Sequence, residues 1–488
     1  PIAKLATPRE VFVDEHFRAR STFNDLSFPG SPKEGRLASG YLELDGRRYG
    51  PRQPAPELGS TAVEDIWPES EPVPASTDSP PRYRPLEGLR VLDLGVIVAG
   101  AELGRLLSDQ GAQVIKIENS TYPDGLRQSH CGEAITHSFA QGSRGKLSLG
   151  LNLRCAAGLS LFKQLVGLSD IVLSNFKPGT MESLGIGYEV LKSINPGIIV
   201  ADSSALGSSG PRSKSMGYGP LVRASTGLSG LWRYPDDPDE GFSDGITIYP
   251  DHFAARVSAV GIAALLLRRQ RSGEGGTVSV SQAECILNAM ATEFLEESLV
   301  PGSLAPRGNR GAQDAPDAVF RCAGNDQWCA ISIWGDREFQ ALCQAIGRPE
   351  LSDEPRYANA AARQREAPAL EAIVSEWVAG RDAREVMEAL QQAGVTAGKM
   401  QRVEELEQDP QLLSRLFIRR LVQPGIAQAM LTENSPVSFS GLPDPEIRPA
   451  PFLGQHTRTL ARELLCLSGE QIDAFINEGV LECPDSDN

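Results

Sequence analysis

The stretch that decides the fold is Leu89–Val96, with the sequence LRVLDLGV, together with the segments Ala99–Gln110 and Gln113–Glu118 that follow it. The first and third segments are short apolar runs typical of buried strands, and the middle segment has apolar residues at helical spacing. The alternation continues with a helix around Leu159–Val166, a strand over Ile171–Ser174, a helix over Met181–Ile194 and a strand over Gly197–Asp202. Short strands separated by helices predict βαβ units, a parallel sheet and an α/β fold.

A second pattern occupies residues 321–400. Trp328–Ile333 has the composition of a strand, and Ala369–Val378 and Ala383–Ala393 have helical periodicity. Pro368 stands directly before the first of these helices, where proline is tolerated because the first helical amide has no partner within the helix. We therefore predict a separate, smaller α+β domain over residues 321–400.

Two short motifs recur along the chain with one offset. The pattern D-x-x-F-x-x-R at 14–20 recurs as D-x-x-L-x-x-R at 409–415, and PAPELG at 54–59 recurs as PAPFLG at 449–454. Both pairs are separated by 395 residues, and such agreement rarely arises by chance. We interpret residues 1–67 as the tail of a preceding repeat, so we expect the natural protein to fuse two related copies.

A stretch rich in proline, serine and acidic residues separates this first segment from the main body. Such a composition cannot form a core and predicts a semi-rigid linker. The predicted organisation is the tail of a preceding repeat over 1–67, a Pro/Ser-rich linker over 68–86, the N-terminal part of a large domain over 87–320, the small domain over 321–400, and a C-terminal return to the large domain over 401–488.

Composition excludes several classes of protein. The 488 residues carry a formal net charge of −16, which argues against nucleic acid as the main partner because phosphate binding needs a basic face. No apolar run approaches the roughly 18 residues of a membrane span, and no secretory signal opens the sequence. The eight cysteines include no C-x-x-C pair and no zinc spacing. We therefore expect a cytoplasmic protein that holds its cysteines reduced and has no metal site.

Common nucleotide and hydrolase motifs are absent from the sequence. Gly95, Gly100 and Gly104 lack the G-x-G-x-x-G spacing of a dinucleotide site, although Glu118 stands where such a site places its acidic residue. No P-loop, G-x-S-x-G elbow or H-E-x-x-H motif occurs. These observations argue against NAD or FAD binding and against the corresponding hydrolase classes.

Several segments together resemble one known family. The similarity runs through LEGLRVLD at 86–93, GAQVIKIE at 111–118, RGKLSL at 144–149, DIVLSNFKPG at 170–179, the helix that follows Asp251, and PAPFLG at 449–454. In these segments, which span nearly all of residues 86–460, the chain resembles the family III CoA-transferases, the carnitine and formyl-CoA transferase family.

The resemblance implies an architecture and a set of partners. The large domain is expected to be Rossmann-like and assembled from both chain ends, and two copies are expected to interlock like chain links. The second copy would come from a fused polypeptide or from a homodimer. The implied partners are an acyl-CoA and a small carboxylic acid, with coenzyme A acting as substrate and no tightly bound cofactor.

The segment PDHFAAR at 250–256 precedes a predicted apolar helix over Val257–Arg271. By itself, an aspartate near a helix start is typical of a capping residue. The resemblance instead implies that Asp251 is the nucleophile. An ionised carboxylate, with an ordinary pKa near 4, attacks a thioester without a separate base. The expected intermediates are an aspartyl anhydride and an aspartyl-CoA thioester.

The resemblance also places coenzyme A against Val98, Ala99, Asn175, Phe176, Lys177 and Gly179. Two of these residues directly follow a predicted strand, at the edge where open α/β sheets bind ligands. Relatives often carry a basic residue just after the glutamate of the second strand, whereas this chain has Asn119 and Ser120. Arg127 and Arg144 are candidates to compensate for that loss, and both are equally compatible with ordinary surface charge.

Three alternatives stay open at this point. An acyl-CoA racemase shares the fold, but its Gly-His-Asp motif is replaced here by GYG at 217–219, and tyrosine is a poor base at neutral pH. A bifunctional CoA-transferase/lyase acting on an onium substrate such as dimethylsulfoniopropionate would use an aromatic cage. The candidates for that cage, or for ordinary packing, are Trp232, Tyr234, Tyr249 and Phe253. The third alternative is a non-catalytic scaffold copy of a fused transferase.

Overall fold

The computed structural model describes residues 2–28, 32–62, 84–129, 131–235 and 245–484. The predicted linker over 68–86 lies almost entirely outside these residues. The chain divides into two compact units. The first comprises Pro1–Gly230, Asp244–Leu304 and Phe417–Asn488, and the second comprises Leu231–Ser243 and Ala305–Leu416.

The strands are numbered in chain order over the described residues. They are β1 (Phe23–Ser27), β2 (Glu34–Ala38), β3 (Glu43–Leu44), β4 (Arg47–Arg48), β5 (Arg90–Asp93), β6 (Gln113–Glu118), β7 (Leu147–Leu151), β8 (Ile171–Ser174), β9 (Ile199–Ser204), β10 (Gly276–Ser281), β11 (Asp317–Arg321), β12 (Trp328–Ser332), β13 (Thr396–Lys399), β14 (Ile418–Leu421), β15 (Met430–Glu433) and β16 (Leu481–Glu482).

The α-helices are numbered in the same way. They are α1 (Pro8–Val13), α2 (Glu15–Ala19), α3 (Ile97–Asp109), α4 (His137–Ser143), α5 (Ala156–Gly167), α6 (Thr180–Ser183), α7 (Tyr188–Ile194), α8 (Gly219–Ser225), α9 (Leu228–Leu231), α10 (Tyr249–Ser272), α11 (Gln282–Ala289), α12 (Ala291–Leu299), α13 (Asp336–Ala345), α14 (Ala360–Arg365), α15 (Ala367–Val378), α16 (Ala383–Gln392), α17 (Pro410–Ser414), α18 (Thr457–Glu463) and α19 (Gly469–Asn477).

One large mixed sheet organises the first unit. Within the described residues it has nine strands in the order β16-β7-β6-β5-β8-β9-β10-β3-β4. Its six central strands are parallel, and numbered along the chain within this set they lie in the doubly wound order 3-2-1-4-5-6. The order reverses between β5 and β8, and a ligand crevice opens at such a reversal, outside the carboxyl ends of the strands. The predicted α/β class is confirmed.

The sheet also has antiparallel strands at both edges, which the prediction of a parallel sheet did not include. β3 pairs antiparallel with β10 and carries β4 beyond it, and β16 pairs antiparallel with β7. Each flanking strand has only two residues, so none offers a long unpaired edge to another chain. A strand of two residues carries no alternating pattern, which is why the sequence did not reveal these strands.

Both faces of the parallel core are covered. On one face, Val91 packs in a buried cluster with Leu103 of α3 and Ile262 of α10. On the other face, Leu92 packs in a second cluster with Phe162 of α5. Strands buried on both faces carry apolar residues at successive positions, which explains the apolar runs that predicted them.

Two predicted elements have different boundaries. The helix predicted over Met181–Ile194 is broken into α6 and α7, because Gly185, with φ 72°, adopts the left-handed conformation that ends a helix. The strand predicted over Leu89–Val96 ends at Asp93, and the next three residues form a loop.

The helix predicted to begin at Val257 begins at Tyr249 instead. Polar residues in its first two turns hid the true start from a search for apolar periodicity. Asp251 therefore lies inside the first turn of α10 rather than ahead of it. Its carboxylate is positioned by a regular helix and not by a loop.

The second unit combines a small sheet with helices. β11, β12 and β13 form an antiparallel sheet, and its core includes Phe320, Ile331 and Leu342. Arg363 donates to both carboxylate oxygens of Asp314 at 2.8 and 2.6 Å within the buried part of this unit. The boundaries predicted for the small domain, 321–400, fall inside this unit and stay a prediction.

Helix α10 is long and apolar enough to cross a membrane by length and composition alone. This is weak evidence, because the core helix of a soluble protein passes the same test. Ala254, Ile262 and Leu265 on this helix belong to the buried cluster beneath the sheet. The helix therefore has a structural role in the core of the first unit.

Two lysine–carboxylate pairs lie deep in the first unit. Lys146 Nζ is 2.7 Å from Asp93 Oδ2, and Lys116 Nζ is 2.8 Å from Asp124 Oδ2. The side chains of the first pair have no exposed surface. Removing one partner of a buried pair leaves an uncompensated charge, and this costs far more than the loss of a surface pair.

We predict that Lys146→Met lowers the free energy of unfolding by about 3–5 kcal/mol, because Asp93 stays buried without its ammonium partner. Urea unfolding measured by circular dichroism checks this value. The matched control is Lys192→Met on α7, where the lysine is exposed, and its effect should stay within about 0.5 kcal/mol. Equal effects of the two substitutions would contradict the prediction.

Candidate active site

The loop Leu94–Val96, between β5 and α3, lies at the carboxyl edge of the sheet and is held by buried side chains. Lys146 Nζ donates to Asp93 Oδ2 and to the carbonyl of Ala101 at 2.8 Å, so one ammonium joins the end of β5 to α3. Asp93 Oδ1 in turn accepts from the Gly95 amide at 2.8 Å. These hydrogen bonds therefore fix the position at which the chain enters α3.

A second pair holds the same loop from the β6 side. Lys116 Nζ donates to the Gly95 carbonyl at 2.7 Å and to Asp124 Oδ2. The other oxygen of Asp124 accepts from the Ile97 amide at 2.9 Å. Ile97 has φ 56°, which is rare for a β-branched residue and is held here by these surroundings.

Asn175, a predicted coenzyme A contact, fixes the loop from the β8 side. Its Oδ1 accepts from the Val96 amide at 2.8 Å, and its Nδ2 donates to the Val96 carbonyl at 2.7 Å. Gly95 and Gly100 pack so closely that a Cβ on Gly100 would lie 2.5 Å from the Gly95 Cα. The amide of Asn175 is therefore committed to the loop in this structure.

Asp251 is the central residue of the site. It is 8% exposed, and its Oδ1 accepts from Gln282 Nε2 at 3.2 Å. Its Oδ2 has no hydrogen-bond partner among the residues that the structure describes. A Cβ on Gly219 would lie 2.8 Å from this oxygen, so a glycine is needed for α8 to approach the carboxylate this closely.

Burial raises the pKa of Asp251 above its ordinary value. The hydrogen bond from Gln282, the charge of His252 and nearby backbone amides, including that of Gly219, act in the opposite direction. The net effect is that the ionised carboxylate is less favourable here than in water. The Oδ2 atom is therefore a buried carboxylate oxygen with no hydrogen-bond partner among the described residues.

His252, the next residue, belongs to a charged cluster that the sequence did not reveal. His252 Nδ1 contacts Glu102 Oε2 on α3, and Glu102 Oε1 accepts from Arg256 at 2.6 Å and from Arg105 at 3.3 Å. The pKa of Glu102 is lowered overall: burial acts to raise it, but the hydrogen bond and charge of His252, followed by the two arginines, outweigh that effect. The sequence did contain one signal for this cluster, which is the acidic Glu102 within the apolar pattern of α3. A buried carboxylate requires a hydrogen-bonding or charged partner.

A cavity of about 970 Å³ opens beside this cluster. Val98, predicted to contact coenzyme A, lines it, as do His252 and Ile248 on either side of Asp251. Its other lining residues are Ala101, Glu102, Arg105, Leu126, His137, Ser138, Gln141, Gly142, Arg256, Gln428, Ala429, Met430, Leu431 and Glu433. Ala99 is buried in the first turn of α3.

Phe176 lies at the boundary of two smaller cavities. One, of about 220 Å³, is also lined by Asn119 and Arg154. The other, of about 500 Å³, is also lined by Lys177 and Gly179. The structure thus places Val98 at the large cavity, and Phe176, Lys177 and Gly179 at the carboxyl end of β8.

Arg127 and Arg144 are both engaged within the protein. Arg127 makes a bidentate ion pair with Glu118 at 2.6 and 2.7 Å and lies over the ring of Phe139. Arg144 is 2% exposed and pairs with Asp109 at 2.9 Å. Neither arginine lines the three cavities described above. Their predicted contacts with coenzyme A stay predictions.

The aromatic residues considered for a cage fall in both units. Tyr249 and Phe253, one turn apart on α10, stack with ring centroids 5.8 Å apart. Trp232 and Tyr234 belong to the second unit, where the hydroxyl of Tyr234 accepts from Asn309 at 2.8 Å. The rings of the first unit therefore pack against each other.

Doubly wound sheets bind ligands at the carboxyl edge, and here that edge carries a buried aspartate with one oxygen unpaired among the described residues. The fold and the site are therefore typical of an α/β enzyme. The model of CoA-transferase family III matches residues 86–457. The chain belongs to CoA-transferase family III. The enzyme class predicted from the sequence, a CoA-transferase, is the class of this family.

Comparisons with individual proteins agree. The chain is 42% identical to a probable CoA-transferase of Mycobacterium tuberculosis, over 99% of this chain and 61% of that protein. It is 33% identical to a succinyl-CoA–D-citramalate CoA-transferase of Chloroflexus aurantiacus, over 81% of this chain and 98% of that protein. It resembles the crystal structure of a CAIB/BAIF family protein from Brucella suis, with a TM-score of 0.69 and 27% identity, covering 78% of this chain and all of that one.

The raised pKa of Asp251 predicts a pH-dependent effect of Asp251→Asn on stability. Below the ordinary pKa, near 3.8, the carboxyl group is protonated in the folded and unfolded states, so burial of its charge does not reduce stability. Above the raised pKa the group is ionised in both states, and the full cost of burying the charge reduces the stability of the folded state. The variant should therefore melt at the same or a higher temperature than the wild type at pH 7, and this advantage should shrink toward pH 4. Thermal melts across this range check the sign, and a variant that is markedly less stable at pH 7 would contradict it.

Proposed function

We propose that this chain is an acyl-CoA:carboxylate CoA-transferase in which Asp251 is the covalent nucleophile. The observation that carries the proposal is the carboxylate itself. It is buried at the carboxyl edge of the sheet, with one oxygen held by Gln282 and the other without a partner among the described residues. In a member of CoA-transferase family III, such an oxygen suits attack on a thioester.

The first half of the proposed reaction accepts the CoA. An oxygen of Asp251 attacks the thioester carbonyl, the carbon–sulfur bond breaks, and CoA leaves as the thiolate. The product is an anhydride between Asp251 and the donor acid. The thiolate then attacks the aspartyl carbonyl, the donor acid leaves as its carboxylate, and an aspartyl-CoA thioester remains.

The second half passes CoA to the acceptor. The acceptor carboxylate attacks the aspartyl carbonyl, and the thiolate leaves. A new anhydride forms between the acceptor acid and Asp251. The thiolate attacks the acyl carbon of the acceptor, and Asp251 leaves as a free carboxylate. One thioester is exchanged for another, so the reaction needs neither ATP nor a metal. Backbone amides near Gly219 are the proposed donors to the developing oxyanion.

We propose dicarboxylic acids as the acyl groups exchanged. The relative from Chloroflexus aurantiacus named above acts on succinyl-CoA and D-citramalate, and a relative from Agrobacterium fabrum, 29% identical over 80% of this chain and 98% of that protein, is a succinate–glutarate CoA-transferase. Each of these acids has two carboxylates. The proposal extends this shared chemistry to the present chain.

The proposed path of coenzyme A follows Val98, Ala99, Asn175, Phe176, Lys177 and Gly179. The cavities that Val98, Phe176, Lys177 and Gly179 line support this path. Asn175 would act mainly by fixing the Val96 loop, since both ends of its amide are already bonded there. Arg127 and Arg144 are each paired with a carboxylate of the protein. They would act on coenzyme A through the charge of their guanidinium groups rather than by direct contact.

The natural protein is proposed to fuse two related copies that interlock, and to act in the cytoplasm without nucleic acid, membrane or tightly bound cofactor. The two motifs repeated at one offset support the fusion, and so does the length of the Mycobacterium tuberculosis relative, of which this chain spans 61%. The curated relatives named above are CoA-transferases, so they lend no support to a racemase, a lyase or a scaffold copy.

We predict that incubation with succinyl-CoA and hydroxylamine converts Asp251 to its hydroxamate, because both covalent intermediates are activated aspartyl groups. Peptide mass spectrometry locates the modification. Asp251→Asn should lower turnover by about 10³-fold or more, since it removes the nucleophile. An unmodified Asp251 in protein that binds CoA would contradict the proposal and favour the scaffold alternative.

We also predict the pH dependence of transfer. The ionised form of Asp251 reacts, so activity falls as the pH drops through its raised pKa, at a higher pH than for an exposed aspartate. Gln282→Leu removes a hydrogen bond that lowers this pKa, and the acidic limb should therefore move further upward. Gln270→Leu is the matched control, because Gln270 is exposed and lies late in α10, the helix that carries Asp251; it should leave the limb in place. A downward or absent shift in the Gln282 variant would contradict this account.

A further inference from the structure

The sequence motif at 14–20, which recurs at 409–415, has no role in the proposed mechanism. The two copies of this motif share a local structure. In each, the aspartate caps a helix of five residues, α2 or α17. The residue directly after each motif, Ser21 or Leu416, has a positive φ, of 51° and 50°. The pattern therefore encodes one structural element, and the contacts of the first copy reveal what this element holds.

Arg20, the last residue of the first motif, is buried and binds two elements at once. Its Nε and Nη2 donate to the two carboxylate oxygens of Glu284 on α11, at 2.9 and 2.7 Å. Its Nη1 donates to Ser209 Oγ, in the loop after β9, at 2.8 Å. A Cβ on Gly207 would lie 2.3 Å from Arg20 Cζ, so a glycine is needed for the loop to pass this close to the guanidinium. One side chain thus joins α11 to the loop 206–212.

Other side chains of the first motif bind the same loop. Asp14 Oδ1 accepts from Arg212 Nη2 at 2.6 Å, and the Arg212 guanidinium lies 5.8 Å from the centre of the Phe17 ring. His16 Nδ1 accepts from the Arg212 amide at 3.1 Å. Its Nε2 therefore carries the proton and donates to the Leu206 carbonyl at 2.8 Å. The loop is held at both of its ends.

Helix α11 is held at a second point by the same N-terminal part of the chain. Asn288, one turn after Glu284, exchanges two hydrogen bonds of 2.9 Å with the backbone of Gly40. Thr22 Oγ1 adds a hydrogen bond of 2.8 Å to Glu284. Contacts one turn apart on one side of a helix fix both its rotation and its position along its axis.

The two elements held in this way carry the groups that surround Asp251. Gln282 and Glu284 are two residues apart on α11, so their side chains point about 200° apart. Gln282 therefore reaches Asp251 while Glu284 faces the first motif. The loop leads into α8, where Gly219 approaches Asp251 Oδ2. The remaining side chain that acts on Asp251, the charged His252, lies on α10 itself.

From these contacts we infer that Arg20 is a positioning residue for the candidate active site. It fixes α11 and the loop 206–212 relative to each other, so that Gln282 and the start of α8 approach Asp251 in one arrangement. The inference rests on the proposed function and deepens it, because it names a residue remote from the reacting atoms on which their orientation depends. Residues 1–67 are interpreted as the tail of a preceding copy, so in this account one copy completes the site of the next.

The test separates the bridge made by Arg20 from its charge. Arg20→Lys keeps a cation beside Glu284 but loses the planar fork that reaches both partners. Ser209→Ala removes a contact at the loop end of the bridge and leaves the buried ion pair intact, so it tests the inference even where the lysine variant is unstable. Arg36→Met is the matched control, because Arg36 lies on β2 and is 47% exposed.

Transfer of CoA from succinyl-CoA to glutarate is measured against pH, with circular dichroism melts to verify that each variant is folded. Arg20→Lys should lower kcat about 10-fold with little change in KM, since misplacing a reacting group slows the chemical step. Its acidic limb should move upward, as in Gln282→Leu, because the hydrogen bond from Gln282 to Asp251 is weakened. Ser209→Ala should give a smaller shift in the same direction, and Arg36→Met should match the wild type.

The double variant Arg20→Lys/Gln282→Leu shows whether the two residues act through one contact. Its acidic limb should lie where that of Gln282→Leu lies, because the hydrogen bond that Arg20 supports is already absent. Hydrogen exchange followed by mass spectrometry adds a measure that does not depend on turnover. The amides of α11 should exchange about 10-fold faster in Arg20→Lys than in the wild type or in Arg36→Met.

Three results would overturn the inference. They are a wild-type kcat and acidic limb in the folded Arg20 and Ser209 variants, a limb shift in the double variant equal to the sum of the two single shifts, or unchanged hydrogen exchange in α11. Failure of the proposed function is distinguishable from these results, because Asp251→Asn would then keep its turnover. The exchange of α11 would still report whether Arg20 holds the helix.

Discussion

The site depends on two ion pairs that have almost no contact with water. Lys146–Asp93 and Lys116–Asp124 have side chains at most 1% exposed. Desolvation offsets much of the attraction in such pairs, so their main contribution is to fix geometry. Each ammonium also donates to a backbone carbonyl, of Ala101 or of Gly95. The loop Leu94–Val96 and the start of α3 are therefore held in one arrangement, including the strained φ of Ile97.

That arrangement matters because α3 packs against α10, which carries Asp251, the proposed nucleophile. Burial makes the ionised form of Asp251 costly, and Gln282, with the charge of His252, recovers part of this cost. One oxygen of Asp251 accepts from Gln282 and the other lacks a partner among the described residues, so a single side-chain hydrogen bond orients the carboxylate.

Local patterns predicted much of this molecule. The apolar runs of β5, β6 and β8 predicted the α/β class, because strands that are buried on both faces carry apolar residues at successive positions. Asp251 was predicted to be the nucleophile from the sequence segments around it, and this role stays a prediction. The two-residue edge strands were missed because they carry no period, and the break at Gly185 was missed because one glycine does not interrupt apolar spacing. Glu102 and His252, 150 positions apart, were missed because only the packing of α3 on α10 brings them together.

The first turn of α10 is held from two sides, and this follows from the helical period. Successive residues point about 100° apart, so Asp251 and His252 meet different neighbours. Asp251 is directed toward Gly219 and Gln282, whereas His252 is directed toward Glu102. A rotation of α10 that improved one contact would break the other. The position of the Asp251 carboxylate is therefore set through Glu102 by α3, whose own start is set by the buried lysines. The geometry of the proposed nucleophile thus derives from charges buried within the protein.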